Sequence, residues 1–298
     1  MRYRIIRTEQ LTKSFGRTAA VNGLTFEVEP GEIYGLLGAS GAGKTTTLQM
    51  LLDFLRPTAG RALVFNLDSH KNSVEIRRQT GYLPANFDLD STLTVEETLR
   101  WLARLRRGVD WSLTQALADD FRLPMDQKIR NLNAADRRKV GLVQAFMHRP
   151  DLIILDEPLR GLDLDAQQTF YRLASEARAD GRSVFFATSA VNEVERICDR
   201  VAILQCGELI AVERGVHLRA RALRRVEMRF AGPVPRDAFL GVPNLQDLRM
   251  MENTVCCVLR GDPDLLLKTA SQYRVTDFVS QTLGVEDMFA SAGAVGRV

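Results

Sequence analysis

Gly38-x-x-x-x-Gly43-Lys44-Thr45, within the run YGLLGASGAGKTTTLQMLL, sets small residues where a backbone must bend tightly, then supplies a cation and a hydroxyl. Ala39, Ser40, Gly41 and Ala42 fill the loop, so that successive N–H groups converge on one anion, and Thr46 extends the hydroxyl series. An apolar strand pattern precedes the loop and a helix pattern follows it, which aims the positive end of a helix dipole at the same point. The chemistry that suits this arrangement is polyphosphate binding, with Lys44 bridging the β- and γ-phosphates and Thr45 holding Mg²⁺ through its hydroxyl. A second set of groups closes the run LIILDEP, where four apolar residues make a buried strand and Asp156 and Glu157 emerge at its C-terminal end. Open α/β sheets bind ligands at that end. Asp156 suits Mg²⁺, directly or through water, and Glu157 suits a base that orients or deprotonates an attacking water.

The elements that must position these groups follow from periodicity. From Tyr3 to about Leu218, short apolar runs bounded by turns alternate with longer amphipathic stretches, the rhythm of a layered α/β domain. A middle segment, about residues 86–149, is helical in pattern. It includes TVEETLRWLARLRR, in which Thr94 can cap and Glu97 stands three residues on. The arginines at 100, 104, 106 and 107 are expected on a solvated face.

A compositional break, RARALRR, ends this region and predicts a first domain over residues 1–222. Residues 223–298 read as a small α+β accessory domain of β-α-β-β-α-β order: VEMRFAG, LQDLRM, VCCVLRG and VTDFVS as strands, RDAFLG as a first helix, PDLLLKTASQY as a second. Asp262 opens that second helix with Pro263 at its first position, and VEDMFA is a short closing helix.

Bulk properties narrow the function classes. The chain has 298 residues, 45% of them apolar, and a net charge of +3 from 40 basic and 37 acidic side chains, which gives no reason to expect nucleic acid as a partner. Cys198, Cys206, Cys256 and Cys257 show no C-x-x-C spacing and suit a reducing compartment. The N-terminus MRYRIIRTEQ is too charged for a secretion signal, and no apolar run reaches about 18 residues, so no direct membrane span and a cytoplasmic location are expected.

The phosphate loop and carboxylates, with GLD at 161–163 and ICDRVAILQCGELIA at 197–211, resemble the ATP-binding subunit of ABC transporters over residues 3 to about 220. The resemblance implies an α/β P-loop NTPase fold with a helical subdomain, ATP and Mg²⁺ as ligands, and a head-to-tail dimer with a second ATP-binding subunit. It also implies docking to a separate membrane permease, peripheral on the inner face of the cell membrane. It is nearest to the bacterial branch that serves multidrug, antibiotic or lipid-like exporters, whose C-terminal extension ends much like GVEDMFA. By the same resemblance Phe15, in LTKSFG, stacks on adenine. Asn66, in LVFNLD, stands where the family commonly has glycine and suits a left-handed backbone.

Departures from the family pattern are specific. The signature LSGGQ aligns with Leu132-Asn133-Ala134-Ala135-Asp136, where Asn133 can still cap a helix but methyl groups replace the glycines that let N–H groups close on the opposite subunit's γ-phosphate. Asp136 adds negative charge there. The usual Gln or Glu in GYLPANFDLD is Ala85, the switch histidine is Ser189, and the residues before GLD are Leu159-Arg160. His70, His148 and His217 do not match the switch context. The expectation is an intact nucleotide cradle with slow hydrolysis, or a regulatory module that closes on ATP with little hydrolysis.

Overall fold

The computed structural model describes residues 3–106, 108–215 and 223–282. These fall into two compact units, one of residues 3–189 and 197–212, the other of 190–196 and 213–282.

The first unit is built on a six-stranded sheet in the order β11(Glu208–Arg214)-β10(Arg200–Gln205)-β4(Ile33–Gly38)-β9(Ser183–Thr188)-β8(Leu152–Asp156)-β7(Thr80–Leu83). The five strands from β10 to β7 are parallel. Every residue of β4, β8 and β9 is buried, which is why their sequences run as unbroken apolar stretches instead of alternating. Register sets Leu37 beside Thr188 and Asp156 beside Ala187, so β4, β9 and β8 end together at one edge.

A second, antiparallel sheet orders β2(Thr18–Leu24)-β1(Ile6–Phe15)-β5(Ala59–Val64)-β6(Leu67–Asp68), with β3(Glu27–Val28) also on β1. Phe26 stacks on both Tyr34 and Phe185 with ring centroids 5.9 Å apart, so aromatic packing reaches from the loop before β3 to β4 and β9. Asn66 takes φ 61°, the left-handed conformation expected of it, and Phe65 before it takes φ 56°.

Helices α1(Lys44–Leu51), α2(Ser73–Arg78), α3(Val95–Leu105), α4(Trp111–Asp120), α5(Ala134–Phe146) and α6(Leu164–Ala179) complete this unit, with α7(Val191–Ile197) following β9. The capping box on α3 forms: Thr94 Oγ1 accepts from Glu97 N at 3.1 Å, and Thr94 N donates to Glu97 Oε2 at 2.8 Å. The solvated-arginine expectation fails in part. Arg100 and Arg104 are exposed, Arg100 lying 4.0 Å over the Trp111 ring, but Arg106 is partly buried, its Nη1 donating to the Arg77 carbonyl at 2.7 Å and reaching the Arg78 carbonyl at 3.3 Å. These two carbonyls belong to the last turn of α2, whose unpaired C=O groups attract a cation. Arg107 lies outside the described residues. Gly81 of β7 packs so tightly on α5 that an added Cβ would overlap the Ala145 carbonyl.

In the second unit an antiparallel sheet orders β13(Leu245–Met251)-β14(Thr254–Arg260)-β12(Leu223–Phe230)-β15(Val275–Thr282), with α8(Asp264–Ala270) between β14 and β15. This is the strand order of a split-βαβ unit. Val226, Met228, Phe230, Val255, Cys257 and Leu259 alternate onto one buried face beside Leu266 and Ala270. The first helix is corrected: RDAFLG forms only a 3₁₀ turn, Arg236–Phe239, held between Pro235 and Gly241 with too few residues for an α-helix. Pro263 is the N-cap of α8 instead of its first residue, and Asp262 Oδ1 accepts from Asp264 N at 2.9 Å. VEDMFA lies outside the described residues.

Candidate active site

The loop that leaves β4 turns on two glycines. Gly41 has φ 80° and Gly43 φ 97°, and a Cβ on Gly43 would overlap the Ala20 carbonyl of β2, so only glycine fits against that strand. Ala42 is buried, Ser40, Gly41 and Thr45 are exposed, and Ala39 and Thr46 are intermediate. Lys44, at the first position of α1, is 7% exposed; its Nζ donates to the carbonyls of Gly38 at 2.8 Å and Ala39 at 3.0 Å and stands 3.5 Å from Glu157 Oε1. The ammonium thus sits among three oxygen acceptors at the mouth of the loop.

Asp156 ends β8 with no exposed surface. Its Oδ2 accepts from Thr45 Oγ1 at 2.6 Å, while Oδ1 is buried without a hydrogen-bond partner. Burial raises its pKa above the usual carboxylate range, and Glu157 adds to this; the Thr45 hydrogen bond, Lys44 and Arg138 oppose it. A buried, unsatisfied carboxylate oxygen beside a hydroxyl is the donor set that a hard divalent cation such as Mg²⁺ takes. Glu157 holds φ 49°, a conformation uncommon for a non-glycine residue, and its N–H donates to the Ala187 carbonyl of β9 at 2.9 Å. The chain turns sharply where the second carboxylate leaves the sheet, as strained backbone at functional sites often does.

Lys44, Thr45, Asp156 and Glu157 therefore meet. Phe15, at the end of β1, is 53% exposed with Lys13 Nζ 5.2 Å from its ring centroid, leaving ring surface open for stacking.

The degenerate segment folds as a capped helix start. Asn133 Oδ1 accepts from Asp136 N at 2.8 Å, as expected of an N-cap, and Asn133 Nδ2 donates to Asp136 Oδ2 at 2.9 Å. The charge of Asp136 is not left free: Lys139 Nζ lies 3.1 Å from Asp136 Oδ1 and 3.5 Å from Asp163 Oδ2. Asp163 in turn caps α6 by accepting from Ala166 N at 2.8 Å, and that bond, aided by Lys139, holds its pKa low. One lysine thus joins the N-termini of α5 and α6.

Ala85 is partly buried in the loop after β7, and Ser189 is exposed at the end of β9. Leu159 is buried and Arg160 exposed. Arg138, which sequence reasoning missed, is 7% exposed, and its Nη1 donates to the Pro84 carbonyl at 2.8 Å. Its only sequence signal is its place on the inner side of α5, beside Lys139 and Val140. Among the histidines, His70 Nδ1 is 3.1 Å from Asp53, His148 is largely buried near Arg106, and His217 lies outside the described residues.

Residues 21–160 match the family described as ABC transporter. The bacitracin transport ATP-binding protein BcrA of Enterococcus faecalis is 32% identical over 209 residues, covering 69% of this chain and 68% of that protein. The chain belongs to the ABC transporter ATP-binding family. A probable multidrug ABC transporter ATP-binding protein, YbhF of Escherichia coli (strain K12), is 34% identical over 223 residues, 73% of this chain but only 38% of YbhF, so this chain spans well under half of that relative. A solved ATP-binding subunit of an ABC transporter superposes with TM-score 0.66 at 28% identity, covering 72% of this chain and 92% of that one. The expected P-loop NTPase architecture is thus the observed one, and the phosphate loop, Asp156 and Glu157 all lie within the matched residues 21–160.

Proposed function

We propose that this chain binds MgATP and serves as the ATP-binding subunit of an ABC exporter, pairing with a second ATP-binding subunit and docking to a membrane permease on its cytoplasmic side. The observation that carries the reading is the convergence of Lys44, Thr45, Asp156 and Glu157 at the aligned ends of β4 and β8. Loop N–H groups and Lys44 would hold the β- and γ-phosphates, Phe15 would stack on adenine, and Thr45 and Asp156 would hold Mg²⁺. The metal, when bound, neutralises charge on the transferring phosphoryl group. Glu157 would orient and deprotonate the attacking water.

Among the described residues no helix is long and apolar enough to cross a membrane. A groove of about 330 Å³, lined by Phe54, Tyr82, Pro84, Phe87, Arg77 and Arg106, supports docking of an apolar permease helix beside the Ala85 loop. The names of the relatives, multidrug transporter and bacitracin transport, support a transport role in which the permease chooses the substrate.

A second reading, a regulatory module with little hydrolysis, is favoured by the Asn133–Asp136 hydrogen bonds, which engage the polar side chains at the start of α5 with each other. Two measurements decide. Calorimetry should show MgATP binding that Lys44→Ala weakens by about tenfold or more, since a charge-assisted contact is lost; equal affinity overturns the nucleotide assignment. Purification from solubilised membranes should retain a polytopic protein that Phe87→Asp releases, and phosphate release from that complex separates slow transport from regulation.

A further inference from the structure

The C-terminal ends of α2 and α3 gather cations that have no acid to meet them. The acidic residues of both helices, Glu75, Glu96 and Glu97, stand in their first turns, whereas Arg77, Arg78 and Arg104 stand in the last. Arg106, the C-cap of α3, brings the two ends together, its Nη1 donating to the Arg77 and Arg78 carbonyls. Among the described residues none of Arg77, Arg78, Arg104 and Arg106 is ion-paired, while Arg100, one turn before Arg104, is held by Glu96 at 2.7 Å. Backbone carbonyls occupy Arg106 and, through Leu52 at 2.8 Å, Arg77; Arg78 and Arg104 are exposed and free to meet an anion. Beside these cations α3 turns two large apolar side chains outward. Its packed side is Val95, Thr98 and Leu99, but Trp101 is 54% exposed and Leu105 65%, four residues apart and so on one face. Neither lines the neighbouring groove of Phe54, Tyr82 and Phe87; both project from the helix surface. Protein partners seat their aromatic anchors in pockets, whereas a lipid surface takes an indole and a leucine without one, the indole at headgroup depth and nearby cations on the phosphates.

We propose that the meeting ends of α2 and α3 form a surface for anionic phospholipid, with Trp101 and Leu105 entering the headgroup layer and Arg78 and Arg104 pairing with lipid phosphates. For its setting the proposal rests on the permease-docking reading above: Arg77 and Arg106 also line the groove, so a permease seated there brings this surface to the inner leaflet. That leaflet is anionic, and each cation close to it favours binding by about fivefold. The attraction decays within a Debye length, ~8 Å at physiological salt, so it acts on a chain already at the membrane. Two exposed arginines and two apolar side chains make a weak contact, which adds to permease docking as a second attachment and fixes how the subunit faces the bilayer.

The test uses the purified full chain, without a permease, and vesicles of phosphatidylcholine alone or of phosphatidylcholine with an equal part of phosphatidylglycerol. Flotation should recover about tenfold more chain with the anionic vesicles; equal recovery, or none on either, overturns the proposal. Arg78→Gln and Arg104→Gln should each cut binding by about fivefold, and Trp101→Ser with Leu105→Ser by about tenfold through loss of the apolar part. All four side chains are exposed, so the variants should melt as wild type does. Binding indifferent to these substitutions assigns the vesicle affinity to another surface and overturns the proposal. In a Trp111→Phe background, which leaves Trp101 as the sole indole, emission should shift to the blue on anionic vesicles and not on neutral ones; an unshifted emission also overturns it. If Arg104→Gln releases the polytopic protein but leaves vesicle binding intact, the surface meets protein and the lipid assignment falls. If wild type retains a polytopic partner from membranes yet ignores anionic vesicles, only this proposal fails; if it binds them through these residues and retains no partner, the docking reading fails and the lipid surface stands.

Discussion

Thr45 Oγ1 donates to one oxygen of Asp156 at 2.6 Å while the other oxygen of that carboxylate is buried without a partner. The carboxylate is thus half satisfied, and its raised pKa is the thermodynamic mark of that state. A carboxyl group with a raised folded pKa favours folding at low pH and loses that contribution as pH rises past its unfolded value, so at neutral pH Asp156 is a cost to the ligand-free protein.

Asp156→Asn should therefore raise the melting temperature of the ligand-free chain by a few degrees near pH 7. It should also abolish the Mg²⁺ dependence of ATP affinity, because a neutral amide is a poor Mg²⁺ ligand. Scanning calorimetry with and without Mg²⁺ reads both, and a variant less stable than wild type would show that the carboxylate is not strained by burial.

On the proposed reading the degenerate positions would act on different nucleotides. Ser189 and Ala85 would flank the ATP of their own chain, whereas Asn133 to Asp136 would face the ATP of a partner in a head-to-tail dimer. In a homodimer, Ser189→His alone should raise phosphate release little. Combined with Asn133→Ser, Ala134→Gly and Ala135→Gly it should raise release by more than the product of the separate effects, since groups closing on one transition state are not additive. Glu157→Gln should then remove the gain. A purely multiplicative gain would mean that the two sets do not share a site.

His148 is pushed down to about 4 by burial and by the Arg106 charge. A histidine whose folded pKa lies below its unfolded value binds protons more readily when unfolded, so stability falls as pH drops from about 6.5 toward 4, by at most about 3 kcal/mol. His148→Gln should flatten denaturant midpoints over that window; an identical pH profile would show that the ring protonates without unfolding.

Gly81→Ala should destabilise the chain by about 1–3 kcal/mol, the usual range for overpacking, because the new methyl overlaps the Ala145 carbonyl and forces β7 away from α5. Urea unfolding checks this. An unshifted midpoint would show that the two elements separate freely.

What could be read ahead of the structure was local. The phosphate loop, the LIILDEP strand, the Thr94 box and the Asn133 cap are each specified by neighbours within a few residues, and each formed. What could not be read depends on partners far along the chain. Arg138 meets Pro84 across 54 positions, and Arg106 meets the end of α2 across 29, distances over which periodicity carries no signal. Lys139 pairs with Asp136 one turn away but also with Asp163, 24 positions on, a link that no local pattern carries. RDAFLG carried helix-compatible residues, but flanking Pro235 and Gly241 cut it to a single turn.

The strand order β4-β9-β8 leaves Ser189 at the end of the middle strand, between the phosphate loop and the two carboxylates. A missing histidine there is consequently a loss of side chain and not of architecture: the backbone still delivers position 189 between the groups it would serve. On the proposed reading, a histidine supplied at position 189 by a point substitution would stand among the groups it serves, with no insertion, register change or refolding of the sheet.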